Sequence, residues 1–269
     1  MDAHTLLYGL IGNPVSHSLS PVMHNTAFRH IGYNGTYLAF PITDLEQETI
    51  NGMKALGVRG LSVTIPHKVT IMDLLDEIDE TAQNIGAVNT VVNNNGKLSG
   101  SNTDCIGAVK ALQEKTRIQG KEVVMIGAGG AARAVGYGIL SEGGKLKIAN
   151  ILQDEGENLA RDLGVPYYPL SDFNKLDYQI LVNTTPVGMT PDTDAMPVPP
   201  EDLKKNAVVM DIIYNPLKTK LLKEAEKIGC PTVDGVSMFV FQGVAQFELW
   251  TGKKAPVELM RQTVLQSLK

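Results

Sequence analysis

The chain has 269 residues, about twice a typical domain, so one large or two medium domains are expected, with enough core to fold without staples. A content of 43% hydrophobic and 20% charged residues is ordinary for a soluble globular protein. A net charge of −5, with lysines and arginines scattered, offers no electrostatic footprint for a polyanion, so no nucleic-acid partner is expected.

No apolar run approaches a membrane span, and the residues before Leu6 are too few for a cleavable signal, so no membrane partner is expected and the reading is cytoplasmic. Cys105 and Cys230 are far apart and form no C-x-x-C, which fits ordinary thiols. The five histidines show no H-x-x-x-H pair, so no metal site is expected.

Residues 6–11 form the first expected strand, which empties into Gly12-Asn13-Pro14-Val15-Ser16-His17-Ser18-Leu19-Ser20-Pro21. Ser20 as N-cap and Pro21 at the first helical position predict a helix over 21–31. With the preceding segment extended, Ser16 and Ser18 point the same way: two hydroxyls beside a helix N-terminus, suited to a carboxylate or phosphate, or else a serine-rich capping loop. A strand over 36–40 and a helix over 44–56 follow, the helix capped by Asp44 and closed by Gly57. A further strand over 60–65 stops at Pro66, which is expected to begin a helix with Lys68 in its first turn. A cation there opposes the helix dipole, a hint of function set against the ordinary reading of a solvated lysine. Residues 87–100 read as a hairpin around Asn93-Asn94-Asn95-Gly96, delivering the chain to Asp104, for which capping of a helix over 105–112 competes with catalysis.

The centre of the chain is Glu122-Val123-Val124-Met125-Ile126-Gly127-Ala128-Gly129-Gly130-Ala131-Ala132, a short apolar run breaking into glycines and then alanines. It reads as a buried strand, a tight turn and a helix start. Gly127 allows the turn, Gly129 lets backbone N–H groups approach a pyrophosphate, and Ala131 or Ala132 lets the helix lie close to its strand. Strands over 146–150, 180–183 and 208–213 alternate with helical sequence, implying an α/β fold with a doubly wound parallel sheet whose ligands sit at the carboxyl ends of its strands. The loops 183–189 and 214–216 occupy those ends. Two helices, over 237–250 and 256–268, close the chain. In the first, Phe239, Val240, Gly243, Phe247 and Trp250 recur at helical spacing as packing residues, with Gln242 the polar exception.

Together these motifs closely resemble the shikimate dehydrogenase family. The matching stretches are residues 12–21 with His24-Asn25, Val63-Thr64-Ile65-Pro66-His67-Lys68, Gly86-Ala87-Val88-Asn89-Thr90, Asn102-Thr103-Asp104 with Gly107, residues 127–132, 183–189 and 211–222, and Gly235 with Met238, Gln242 and Gly243. They run in the family's order over nearly the whole chain. The resemblance implies an N-terminal α/β substrate domain, residues 1–104 completed by the helices of 237–269, and a Rossmann-type dinucleotide domain, residues 105–236. It implies Lys68 and Asp104 as the catalytic pair, with Ser16 and Ser18 on the substrate carboxylate. Thr64, Asn89, Asp104 and Gln242 would bond the ring hydroxyls, with Tyr214 close by. The cofactor would lie on Gly127, Ala128, Gly129, Gly130 and Ala131, with Asn150 at the second strand's end and Thr184, Pro186, Gly188, Met189, Gly235 and Met238 bordering the nicotinamide.

The implied activity is reversible NAD(P)H-dependent reduction of 3-dehydroshikimate to shikimate in aromatic amino-acid biosynthesis, by a monomer or homodimer. A quinate/shikimate dehydrogenase of broader specificity and a non-catalytic ligand sensor of the same fold are the alternatives. Two departures stand out. Ser62 lies where many members carry Asn, a smaller residue expected to reshape the pocket edge. At the second strand of the dinucleotide domain, NADP-using members typically read Asn-Arg, the arginine gripping the 2′-phosphate; here the pair is Asn150-Ile151, so NADP is the family default and NAD a serious alternative.

Overall fold

In the computed structural model, which describes every residue from Met1 to Lys269, the first stretch builds β1 (Leu6–Gly12), α1 (Ser20–His30), β2 (Gly35–Pro41), α2 (Gln47–Ala55), β3 (Val58–Val63), β4 (Glu77–Ile78), α3 (Glu80–Ile85), β5 (Thr90–Asn94) and β6 (Lys97–Ser101). Then come α4 (Thr103–Gln113), β7 (Glu122–Ile126), α5 (Gly130–Ser141), β8 (Lys145–Asn150), α6 (Gln153–Leu163), β9 (Tyr167–Pro169), β10 (Ile180–Asn183) and β11 (Val208–Asp211). The chain finishes with α7 (Lys220–Lys227), β12 (Thr232–Val233), α8 (Gly235–Thr251) and α9 (Val257–Ser267). It divides into two compact units, Met1–Thr103 with Gln242–Ser267 and Lys269, and Asp104–Phe241 with Leu268. The chain therefore passes between units directly after the first residue of α4 and again within α8, where the sequence reading places the boundaries at 104/105 and 236/237. No helix is long and apolar enough to cross a membrane.

In the first unit the sheet runs β2-β1-β3-β5-β6-β4, parallel where β1 meets β2 and β3 and antiparallel through β3, β5 and β6. Ile11, Leu61, Val63, Val91 and Leu98 join one apolar cluster with Ile50 and Ile71. Tyr8 and Tyr37 instead join an aromatic group with His24, Phe28 and Trp250; His24 stacks on Tyr37 with ring centroids 4.7 Å apart, and Trp250 lies 5.4 Å from Tyr8. Gly60 makes room for Trp250, whose indole N–H donates to the Val91 carbonyl at 3.0 Å; a Cβ at Gly60 would run into the indole ring.

The second unit's sheet is parallel throughout, ordered β12-β11-β10-β7-β8-β9, with the direction of strand progression reversing between β7 and β10. Its central strands are apolar without a break because both faces are covered. Val123, Met125, Ile180, Val182, Val208 and Met210 enter one cluster, while the alternating Val124, Ile126, Leu181 and Val209 enter another. That reversal creates a crevice at the carboxyl ends of β7 and β10, the place where this architecture takes its ligands.

Several local expectations are corrected. Ser20 is the first helical residue of α1 rather than its cap, and α2 begins at Gln47 after Glu46, not at Asp44. Pro66 opens a turn over 65–69 followed by a short 3-10 helix, Thr70–Leu74, so Lys68 lies in no α-helical first turn and the dipole argument does not apply to it. Val15 to Ser18 is a turn closed by Ser18 N–H on the Val15 carbonyl at 3.1 Å, not an extended run. Asp104 is the second residue of α4, so it does not cap that helix. Two short helices not read from the sequence are α3, capped by Asp79 Oδ1 accepting from Ala82 N–H at 2.7 Å, and α7, capped by Thr219.

Candidate functional site

Strand ends and turns carry the expected substrate groups of the first unit. After β3 the chain turns sharply, with His67 N–H donating to the Thr64 carbonyl at 2.9 Å and the buried His67 ring bonded through Nε2 to the Ile42 carbonyl at 2.7 Å. That anchoring holds the next residue, Lys68, whose carbonyl accepts from Val88 N–H at 2.8 Å. The neighbouring Asn89 is buried, and its Oδ1 accepts from Thr103 N–H at 2.7 Å, Thr103 Oγ1 at 3.1 Å and Thr90 Oγ1 at 2.7 Å. Thr103 precedes Asp104. The dipeptide Val88-Asn89 is thus bonded on one side to Lys68 and on the other to the residue that introduces Asp104. Thr64 is half-buried beside this turn, its N–H on the Ile11 carbonyl at 2.9 Å. Ser16 is exposed, whereas the Ser18 hydroxyl accepts from Ser20 N–H at 3.2 Å and so serves the start of α1. Gln242 is buried on α8.

Ser62, where many family members carry Asn, joins a hydrogen-bond network inside the first unit. It is buried, with its hydroxyl accepting from Tyr37 at 2.7 Å and donating to Gln246 Oε1 at 2.8 Å. Gln246, 1% exposed, is a buried polar residue of α8 that the sequence reading does not single out; the available signal is a second amide one helical turn beyond Gln242, on the same face of the helix.

In the second unit, β7 ends in a glycine turn over which α5 begins. Gly127 is buried at φ +113°, and a Cβ there would sit 2.5 Å from Thr184 Oγ1, so only glycine allows the β7 and β10 loops to come this close. Thr184 donates to the Ile126 carbonyl at 2.7 Å and fastens the two loops together. Gly129 and Gly130 are exposed, and a Cβ on either would project into open space. α5 has no side-chain cap, so its first N–H groups face outward from Gly130, Ala131 and Ala132 without intrahelical acceptors. The uncapped helix start and the space that side chains would have filled fit a pyrophosphate.

The loops after β10 and β11 are tied by Asp211. Its fully buried carboxylate accepts from Asn183 Nδ2 at 3.1 Å, Ile213 N–H at 3.1 Å and Thr219 Oγ1 at 2.7 Å. Burial raises its pKa to about 6, against the lowering effect of those three donors. Asn183 in turn accepts from Thr185 N–H and Oγ1 at 3.1 and 2.7 Å, which folds the loop that places Pro186 and Met189 at the surface and Gly188 inside. Tyr214 is half-buried, its ring 5.0 Å from that of Phe239, and burial raises its phenol pKa. Gly235 packs against the Ile212 and Ile213 carbonyls, and Met238 lies in the core with Met125 and Met210. At the end of β8, buried Asn150 donates through Nδ2 to the Leu152 carbonyl at 2.9 Å, Ile151 is 79% exposed, and Asp154 and Glu155 stand in the first turn of α6.

A doubly wound sheet with a glycine turn at its reversal point, joined in one chain to a second α/β unit, defines a two-unit protein of the dinucleotide-binding class. Residues 10–91 match the model of the shikimate dehydrogenase substrate binding domain, and residues 235–265 that of the shikimate 5′-dehydrogenase C-terminal domain. A shikimate dehydrogenase (NADP(+)) of Methanococcus maripaludis strain C6 is 48% identical over 98% of both chains. Among solved structures, a shikimate dehydrogenase in complex with NADP+ is 43% identical with a TM-score of 0.95, covering 100% of this chain and 98% of that one. The shikimate 5-dehydrogenase of Listeria monocytogenes in complex with shikimate and NAD is 36% identical with a TM-score of 0.92, covering 97% of each. The chain belongs to the shikimate dehydrogenase family.

Proposed function

We propose that the protein reversibly reduces 3-dehydroshikimate to shikimate with NADPH. The observation that carries this reading is the Val88-Asn89 dipeptide, bonded both to Lys68 and to the residue before Asp104, in a chain so similar to shikimate dehydrogenases. When bound, a reduced nicotinamide would supply the hydride that the ketone carbon takes up. Reduction then needs a proton for the developing alkoxide, and oxidation a base for the hydroxyl; Lys68 Nζ holds and returns that proton. Asp104 orients the reacting hydroxyl and the Lys68 ammonium. Thr64, Asn89 and Gln242 bond the ring hydroxyls, Tyr214 is a further substrate-binding residue, and the Ser16 and Ser18 hydroxyls donate to the carboxylate, the Ser18 O–H being free to do so while its oxygen accepts from Ser20 N–H. The cofactor would be held by the Gly127, Ala128, Gly129, Gly130 and Ala131 turn and the start of α5, with Asn150, Thr184, Pro186, Gly188, Met189, Gly235 and Met238 as its further binding residues. Two buried free thiols and the use of small soluble metabolites fit a reducing cytoplasm.

Discrimination between cofactors is weak in this reading. A 2′-phosphate beside Asn150 would meet the exposed Ile151 side chain, which donates no hydrogen bond, and the carboxylates Asp154 and Glu155 follow at the helix start. The test is an activity matrix of shikimate and quinate against NADP and NAD, followed by nicotinamide absorbance. The expected outcome is turnover of shikimate well above quinate, with a kcat/KM preference for NADP below ~10³-fold. Ile151→Arg is expected to raise that preference by ~10-fold or more, the scale of one charge-assisted hydrogen bond. No shikimate oxidation with either cofactor would defeat the assignment, and a preference of ~10³-fold or more in the unaltered chain would defeat the cofactor reading.

A further inference from the structure

A directed chain of hydrogen bonds runs through the interior of the first unit and ends on Asn89. Tyr37 OH donates to Ser62 Oγ at 2.7 Å, Ser62 Oγ to Gln246 Oε1 at 2.8 Å, Gln246 Nε2 to Thr90 Oγ1 at 3.0 Å, and Thr90 Oγ1 to Asn89 Oδ1 at 2.7 Å. Every member is at most 5% exposed. Its direction is set at both ends. Burial raises the Tyr37 phenol pKa, keeping it a donor. At the other end the atom of Asn89 facing Thr103 N–H at 2.7 Å must be the oxygen, because a backbone N–H can only donate. With that oxygen taking three donors, the Nδ2 amine is turned the opposite way. Gln246 also donates to the Asn89 carbonyl at 3.3 Å, so one amide holds Asn89 by its backbone and, through Thr90, by its side chain. Gln246 is one helical turn from Gln242 and one from Trp250, which bonds the next strand residue, Val91.

We infer that Gln246, relayed from Tyr37 and Ser62, is a positioning residue for substrate recognition: it fixes the Asn89 carboxamide with its amine presented to a ring hydroxyl. The inference rests on the reading of Asn89 as a substrate-binding residue. A fully paired buried network of this kind stiffens its members, whereas leaving one end unpaired loosens them. Gln246→Met keeps the volume and removes both the donor and the acceptor.

The experiment measures the shikimate dissociation constant by calorimetry and the KM for shikimate and for NADP, in the full chain carrying Asn89→Ala, Gln246→Met or both. Asn89→Ala and Gln246→Met are each expected to weaken shikimate binding by ~10-fold, a typical hydrogen-bond effect, with the KM for NADP within about twofold of the unaltered chain. The double variant is expected to bind no more weakly than Asn89→Ala alone, because both changes remove the same interaction. Unchanged shikimate binding in Gln246→Met beside a weakened Asn89→Ala overturns the inference and leaves the functional reading standing. So does an equal rise in both KM values, or full additivity. Unchanged binding in Asn89→Ala overturns the reading beneath it. Should Gln246→Met fail to fold, Ser62→Ala applies the same test from further up the chain: a severalfold weakening supports the inference and none overturns it.

Discussion

Lys68 is held by its backbone rather than by a helix. The Thr64–His67 turn, the His67 ring on Ile42 and the Val88 N–H on the Lys68 carbonyl fix the Cα of the residue proposed as the proton donor. In the proposed role, removing the amine leaves those backbone bonds in place and withdraws the proton donor. Lys68→Ala is expected to lower kcat by ~10²-fold or more while the shikimate dissociation constant, measured by calorimetry, changes only severalfold. Near-normal turnover would remove Lys68 from the chemistry. His24 is a different kind of residue. It is fully buried among Tyr37, Phe28 and Trp250, and neither ring nitrogen reaches a hydrogen-bond partner. Burial pushes its pKa down to about 3, the Gln246 amide nearby opposing the shift less strongly. Between pH 6.5 and about 3 the unfolded chain therefore binds a proton that the folded chain refuses, so stability is retained above this window and lost as pH falls through it. Asp211, raised to about 6, acts in the other sense between its ordinary range and 6, but it is common to any His24 variant and cancels in the comparison. His24→Phe is expected to gain stability over the unaltered chain as pH drops from about 7.5 to about 5, read from urea midpoints. Parallel curves would show that the ring takes up its proton in the folded state.

At the scale of elements, legibility followed how local the determining forces are. β7, its glycine turn and α5 can be read because an unbroken apolar run, a residue at positive φ and an alanine-lined helix face are all properties of one short stretch. The parallel sheet followed from alternation. α2 was misread at its start because Asp44 resembles a cap, whereas the backbone becomes helical only after Glu46, extended at φ −125°. The Lys68 turn was misread because Pro66 suits a helix start as well as a tight turn, and only the tertiary bonds of His67 and Lys68 select the turn. Ser62 and Gln246 lie 184 positions apart, so their pairing left no local trace. The family motifs nevertheless named Asn89, whose neighbours then account for its orientation.

Across the whole chain, α8 is the element that carries residues assigned to both ligands: Gly235 and Met238 to the cofactor, Gln242 to the substrate, with the unit boundary between Phe241 and Gln242. Amides at the start of a helix lack intrahelical acceptors and exchange readily, whereas those further along exchange by local opening. Each ligand should therefore protect its own set. NADP alone is expected to slow exchange over 128–132, 184–189 and the first turn of α8. Shikimate alone should slow it over 64–68, 87–90 and the α8 turn from Gln242 to Gln246. A ligand at ~100 times its dissociation constant stabilises by about 2.7 kcal/mol, so amides that exchange only through opening of the bound unit should slow by up to ~10²-fold. Hydrogen-exchange mass spectrometry of the full chain with each ligand separately makes the comparison. If NADP protected the 64–68 turn and left 128–132 untouched, the division of labour between the units would be wrong, even with activity intact.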